Sequence, residues 1–225
     1  MDTIYAVIPV SHFDDAKTRL SPFLEPKERE LLLKAMLSDV YSALEGKVDK
    51  IIIISSDDEV LGFAKELGAD TLVETDECKG LNPSLEYAMK WAKNKCERIL
   101  IIPSDIPLLG RSQLEMILPQ VKEHDFIVSP AKGTGTNLII MKPCAIGLNF
   151  GDYSFFKHVK AAMDNHMIPM VLDSFFISLD VNTTEDLGEI FLHGSGTKTG
   201  EYLKSLNLSV VPVHGAERLK VTRKE

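Results

Sequence analysis

With 225 residues, 44% hydrophobic and 26% charged, the chain has enough apolar surface to bury a core as one α/β domain, in the range of soluble globular proteins. A formal charge of −8 argues against nucleic acid or an anionic membrane surface as partner, because both require clustered positive charge. Cys78, Cys96 and Cys144 share no metal-ligand spacing, the N-terminus has no basic n-region, and no run reaches 18 apolar residues. A reduced, cytoplasmic protein is expected.

Strand-like runs alternate with helical patterns in chain order. Ile4 to Val10 reads as the first strand, followed by a polar loop and a helix opening at Pro26, whose buried face carries Leu33, Met36, Leu37, Val40, Tyr41 and Leu44 before Gly46 stops it. Ile51 to Ile54 is a second strand. Val60, Phe63, Ala64 and Leu67 mark a helix ended by Gly68, and Thr71 to Glu74 a short third strand. Leu85, Ala88, Met89 and Ala92 mark a helix started by Pro83, which leads to a buried strand at the start of R-I-L-I-I-P-S-D-I-P-L-L, Arg98 to Leu109. A stripe through Leu114, Ile117, Leu118 and Val121 is expected to be kinked or shortened by Pro119.

After the strand at Phe126 to Ser129, a loop runs straight into strand-like Asn137 to Met141 with no helix between, which predicts an antiparallel or mixed addition to the sheet. The pattern then predicts a helix over Phe155 to His166 with Phe156, Val159 and Met163 inward, and strands at Met170 to Leu172 and Phe175 to Leu179. Helices follow at Thr184 to His193 and Gly200 to Leu206. From about residue 207 an arm with no core pattern of its own is expected to be mobile or to order against a partner subunit. That arm and apolar residues such as Phe175 and Phe176 are compatible with a homodimer.

Several of the loops carry chemistry. Asp105 follows a buried strand between Pro103 and Pro107, where it suits either a hard cation such as Mg²⁺ or the cap of the helix near Ser112. Lys17 and Arg19, in A-K-T-R-L, could neutralise a polyphosphate or simply solvate a turn. Neither G-x-x-x-x-G-K-[ST] nor G-x-G-x-x-G is present, so any nucleotide is held another way. In K-G-L-N-P-S, Gly80 permits close backbone approach to a ligand and Asn82 can cap the next helix. G-T-G-T-N, Gly133 to Asn137, offers N–H groups and hydroxyls to anionic oxygens, and Gly151 and Ser154 of F-G-D-Y-S-F sit where a helix dipole favours an anion. Asp180 is expected to end a strand, either as a turn residue or sharing metal with Asp105. The six histidines show no zinc-hydrolase spacing, and no G-x-S-x-G elbow occurs.

Taken in order, A-K-T-R-L, G-L-N, P-S-D-I-P-L-L, G-T-G-T-N, F-G-x-x-S-F and L-D-V-N-T-x-E-D-L resemble the 2-phospho-L-lactate guanylyltransferase family of coenzyme F420 biosynthesis, in its archaeal form, from the first strand to about Leu187. The resemblance implies a Rossmann-like mixed sheet of the nucleotide-diphospho-sugar transferase type with helices on both faces. It also implies GTP and a small phosphorylated 2-hydroxy acid as substrates, with Mg²⁺ as cofactor. By the same resemblance Lys17, Arg19 and Asp105 are catalytic, and Asp105 and Asp180 hold metal. Nucleotide contacts fall on Pro9, Lys17, Arg19, Ser56 and Asp57 and on the turn Gly80, Leu81 and Asn82, and the acceptor site on Thr136, Gly151 and Ser154. Where relatives often have Lys after the P-V of the first strand, this chain has Ser11, which leaves Lys17 and Arg19 with more of the triphosphate charge. Two alternatives stand beside this reading: a same-fold nucleotidyltransferase or sugar transferase with another acceptor, such as phosphoenolpyruvate or 3-phosphoglycerate, and a noncatalytic nucleotide-binding module.

Overall fold

A computed structural model of the chain describes residues 2–13, 17–213, 215 and 218–223. Ala16, which opens A-K-T-R-L, and His214, Ala216, Glu217, Lys224 and Glu225 of the terminal arm lie outside the described residues. Strands β1 (Ile4–Pro9), β2 (Lys50–Ser55), β3 (Asp70–Val73) and β4 (Arg98–Ile101) are joined by α1 (Pro26–Leu44), α2 (Asp58–Leu67) and α3 (Leu81–Ala92). Beyond α4 (Arg111–Ile117) come β5 (Phe126–Pro130), β6 (Thr136–Met141), α5 (Ser154–Asp164), β7 (Pro169–Val171) and the single turn α6 (Phe175–Ser178). Helices α7 (Thr184–His193) and α8 (Lys198–Ser205) lead to a hairpin of β8 (Leu208–Pro212) and β9 (Leu219–Arg223).

The first seven strands form one sheet in the order β3-β2-β1-β4-β6-β5-β7. Only β6 runs against its neighbours, pairing antiparallel with both β4 and β5, as the missing helix before Asn137 predicted. Alternation along β1 sends Ile4, Ala6 and Ile8 into a core shared with α1, α2, α7 and α8, and Val7 into a second core shared with α3 and α5. Helices therefore cover both faces. Ile52, Ile53 and Ile54 are each at most 1% exposed, and burying such a side chain contributes about 1.5–3 kcal/mol. Helix boundaries follow local chemistry: Pro26 opens α1 while the Glu25 amide donates to Glu28 Oε2 at 2.9 Å, and Gly46 beyond its end takes φ +69°. Pro119 ends α4 in a 3-10 turn from Leu118 to Lys122. No helix among the described residues is long and apolar enough to cross a membrane.

Three expectations need correction. Phe175 to Leu179 is not a strand: Ile177, Leu179 and Val181 are buried in strand-like alternation, but Phe175 to Ser178 close a helical turn through Ser178 N–H donating to Ser174 O and Leu179 N–H donating to Phe175 O. Helix α5 is rotated from its expected phase. Phe156 and Met163 are 58% and 61% exposed, while Ser154, His158 and Ala162 face inward with Val159 partly buried. The arm has a core pattern after all, since Leu208 and Val221 are buried in the core that α7 and α8 share, and the hairpin pairs from Leu208–Arg223 to Pro212–Leu219.

Gly188 on α7 lies under that hairpin, where a Cβ would come within 3.1 Å of Leu219 and Val221. Gly188→Val is expected to lose about 1–3 kcal/mol by overpacking. Gly62→Ala, on open helix surface with nothing within 4 Å, should gain roughly 0.5–1 kcal/mol. Denaturant unfolding of both variants checks the pair, and an unchanged Gly188→Val would mean that the hairpin does not rest on α7.

Candidate active site

From β3 the chain crosses back to lay β4 on the other side of β1, so the strand order reverses between β1 and β4. Open α/β sheets bind ligands at such a point, outside the carboxyl ends of the strands. A cleft of about 830 Å³ opens there, within the size range of small-molecule sites. Pro9, Lys17, Arg19, Ser56, Gly80, Leu81 and Asp105 all line it.

Lys17 donates from Nζ to Asp105 Oδ2, with both side chains largely buried. Its backbone is left-handed, at φ +54° and ψ +37°, an uncommon state for a residue with a Cβ and one that often marks a functional constraint. The Val181 amide donates to Asp105 O at 3.0 Å, which brings the Asp180 loop against the Asp105 loop. Burial, and next the charge of Asp105, push the Asp180 carboxyl above the usual carboxylate range, against the pull of Asn137 and Lys17. Asp105 Oδ1 is buried and accepts no hydrogen bond from the described residues. A lone-pair donor left without a partner beside a second carboxylate is what a divalent cation would satisfy. Among the described residues no group of three or more His, Cys, Asp or Glu converges, so a cation here would draw the rest of its shell from water and substrate.

Arg19, Lys79 and His12 bring further nitrogen donors to the cleft. Asp57 stands behind the lining. Its Oδ1 accepts from Glu59 N–H at 2.8 Å to cap α2, and its Oδ2 lies 3.1 Å from His12 Nδ1. Asn82 does not cap α3 as expected, because Gly80 is the N-cap. Its amide spans to the loop before Gly151 instead, donating to Phe150 O at 3.0 Å and accepting from Phe150 N–H at 2.7 Å.

Thr136, Gly151 and Ser154 form a cluster beside the cleft rather than in its lining. Thr136 Oγ1 lies 3.1 Å from Ser154 Oγ and 3.0 Å from His158 Nδ1, all three residues being buried. The first amides of α5 are already taken: Ser154 N–H donates to Gly151 O and Phe155 N–H to Thr134 O, each at 3.1 Å. Anion affinity expected from that helix end therefore rests on hydroxyls more than on these amides. One irregularity links the cluster to the carboxylates. Ser129 pairs with Leu138 but Pro130 with Thr136, so Asn137 is an extra residue in β6. The bulge points Thr136 toward α5 and Asn137 toward α6, where Asn137 Nδ2 donates to Ile177 O at 2.8 Å and to Asp180 Oδ1 at 3.4 Å.

Sequence reasoning singled out neither Lys79 nor His12, nor Ser104 and Asn182 in the lining, and gave His158 no role. Lys79 and Asn182 stand inside motifs already noted, beside Gly80 and Asp180. His158 left only one signal, a polar residue at i+4 from Ser154 on a helix that otherwise packs apolar groups.

Burial, with a smaller push from Lys157, lowers the His158 pKa to about 4. An unfolded imidazole takes up its proton near ~6.5, so between those values the unfolded chain binds more protons and stability falls as pH drops. The contribution is full above about pH 6.5 and is lost by about pH 4, a swing of about 3 kcal/mol. Denaturant midpoints over that window should fall more steeply for the wild type than for His158→Asn, and parallel curves would contradict a neutral buried imidazole.

The family described as guanylyl transferase CofC like matches residues 4–224. A 2-phospho-L-lactate guanylyltransferase of Methanobrevibacter smithii is 55% identical over 223 residues, covering 99% of each chain. That of Methanobrevibacter ruminantium is 52% identical over 233 residues, covering 99% of this chain and 100% of its own. In fold, a Desulfovibrio desulfuricans G20 protein assigned as a nucleotide-diphospho-sugar transferase superposes with a TM-score of 0.76 at 18% identity, over 91% of this chain and 95% of that one. Matched along nearly its whole length, the chain belongs to the guanylyl transferase CofC-like family.

Proposed function

We propose that the chain transfers GMP from GTP to the phosphate of 2-phospho-L-lactate, giving lactyl-2-diphospho-5'-guanosine and pyrophosphate, as a cytoplasmic step of coenzyme F420 biosynthesis. The activity of the two Methanobrevibacter relatives supports the choice of substrates. The observation that carries the chemistry is Asp105, lining a nucleotide-sized cleft with Lys17, with Asp180 close enough behind it to feel its charge.

A phosphomonoester has its second pKa near ~6, so the acceptor is largely a dianion at neutral pH and needs no general base. Its difficulty is approaching a second anion. Asp105 and Asp180 would hold Mg²⁺, which when bound supplies charge neutralisation and polarisation between the two phosphates. Lys17, Arg19 and Lys79 offset charge on the triphosphate and then on the leaving pyrophosphate. An acceptor phosphate oxygen bonds to the α-phosphorus as the bond from that phosphorus to the pyrophosphate oxygen breaks. Thr136, Gly151 and Ser154 orient the three-carbon acid for that approach. Guanine offers N–H and amino donors, and Glu74 and Asp76 are the lining carboxylates placed to accept them, since Asp57 is occupied by its cap and by His12. A homodimer would form over the exposed Val171, Phe175, Phe176 and Leu192 near the β7 edge.

Pyrophosphate release in Mg²⁺, crossing GTP, ATP, CTP and UTP with 2-phospholactate, phosphoenolpyruvate and 3-phosphoglycerate, tests the reading. The highest kcat/KM is expected for GTP with 2-phospholactate, and preference for another pair would replace it. Asp105→Asn should lower turnover at least ~100-fold, the scale of removing one strong electrostatic contributor. A folded variant with near-normal turnover would remove Asp105 from the chemistry. Phe176→Glu is expected to sediment as a monomer, and an unchanged dimer would place the interface elsewhere.

A further inference from the structure

His158 is fully buried in α5, yet the chemistry above gives it no role. Its Nε2 lies 3.0 Å from the Asn149 amide, which can only donate, so Nε2 must present its lone pair. In a neutral imidazole the proton then sits on Nδ1 and is donated to Thr136 Oγ1 at 3.0 Å. Thr136 and Ser154, 3.1 Å apart, share one hydrogen bond in either direction. In both directions one hydroxyl proton of the pair remains free. With the opposite tautomer Nδ1 would accept the Thr136 proton, Thr136 would accept that of Ser154, and no proton would be left over. The Asn149 N–H thus makes the hydroxyl pair a net donor. The same ring packs edge-on against Phe150 with centroids 4.8 Å apart, next to the Gly151 turn that Asn82 also grips.

We propose that His158 is a positioning residue for the acceptor: held as the Nδ1–H tautomer by the Asn149 amide, it leaves the Thr136–Ser154 pair one O–H to donate to the anionic phospho acid. This rests on the acceptor reading of Thr136 and Ser154 given above. Neutral imidazole in this role adds no charge beside the hydroxyl pair, and the donor it leaves free is aimed by buried groups.

Steady-state pyrophosphate release by the full chain, with GTP and 2-phospholactate varied separately, tests the proposal. His158→Leu leaves the pair its spare proton but removes the N–H that holds Thr136 Oγ1 as an acceptor and so the aim of that proton, and it is expected to raise the acceptor KM about 10-fold while leaving the GTP KM within about twofold, the scale of one misdirected hydrogen bond to a charged group. His158→Asn, close in shape to Leu but with an amide donor, should recover most of that loss. An unchanged acceptor KM in folded His158→Leu, equal rises for both substrates, or no difference between Leu and Asn would each overturn the relay. Nitrogen-15 NMR of the wild-type imidazole reads the tautomer without any variant: a protonated Nδ1 and bare Nε2 at neutral pH support it, and the reverse overturns it. Thr136→Val and Ser154→Ala separate the two claims. If neither moves the acceptor KM, the acceptor site itself is misplaced and both readings fall. If both raise it and His158→Leu does not, the relay alone is refuted.

Discussion

Everything at the cleft depends on holding two carboxylates, Asp105 and Asp180, within each other's field in a partly buried place. That arrangement costs energy, and the rise in the Asp180 pKa reports part of the cost. The Lys17 ammonium on Asp105 and the Asn137 and Asn182 amides on Asp180 offset it, and the Val181 amide bonded to Asp105 O holds the two loops together. The strained backbone of Lys17 is held in turn by its apolar neighbour. Leu20 is fully buried, and its amide donates to Lys17 O at 2.8 Å, so the core fixes where the cation stands.

Strand direction explains how the Thr136 cluster reaches the same edge. In a sheet of parallel strands the residues that begin a strand lie at the edge opposite the ligand crevice. Because β6 runs antiparallel to β4 and β5, its first residues, Thr136 and Asn137, arrive at the edge where β1 and β4 end. Regular pleating would then give Thr136 the face of Leu138, which packs with Ile177 and Leu179. The extra residue at Asn137 breaks that parity, turning Thr136 to Ser154 and His158 while Asn137 meets Asp180. One inserted residue therefore lets a single strand serve both faces of the site.

The strands and their order of helices were legible because their signals were apolar and strong, as in Ile51 to Ile54 or the run before Pro103. What failed had polar residues where periodicity looks for apolar ones. The inward stripe of α5 begins with Ser154 and His158, so the neighbouring Phe156 and Met163 took its place in the reading. At Phe175 to Leu179 the burial alternation was genuine, but it belonged to a helical turn followed by extended chain. The hairpin's buried Leu208 and Val221 were too sparse among Lys220, Thr222 and Arg223 to show a face. For the site, motif order identified which loops converge, whereas the bulge at Asn137 and the Asn82–Phe150 pairing exist only in three dimensions.

The division of labour among polar groups is itself informative. Asn82, Asn137, Asn182 and His158, the side chains that tie the Asp180 loop, the Gly80 turn and the Thr136 cluster to their neighbours, are neutral, and the charged Asp186–Lys132 pair acts farther along the same loop. Bracing with charged residues would have placed fixed charges within a few ångströms of Asp105 and Asp180, where low dielectric magnifies every interaction. Neutral braces leave the local field to the few charged groups at the cleft, Lys17, Arg19 and Lys79 against Asp105, Asp180, Glu74 and Asp76. A formal charge of −8 for the whole chain therefore says little about the crevice. Lys17, Arg19 and Lys79 are matched in the lining by Glu74, Asp76 and Asp105, so the approach of two anions depends on where each cation stands rather than on a surplus of them, and neutral braces leave that placement undisturbed.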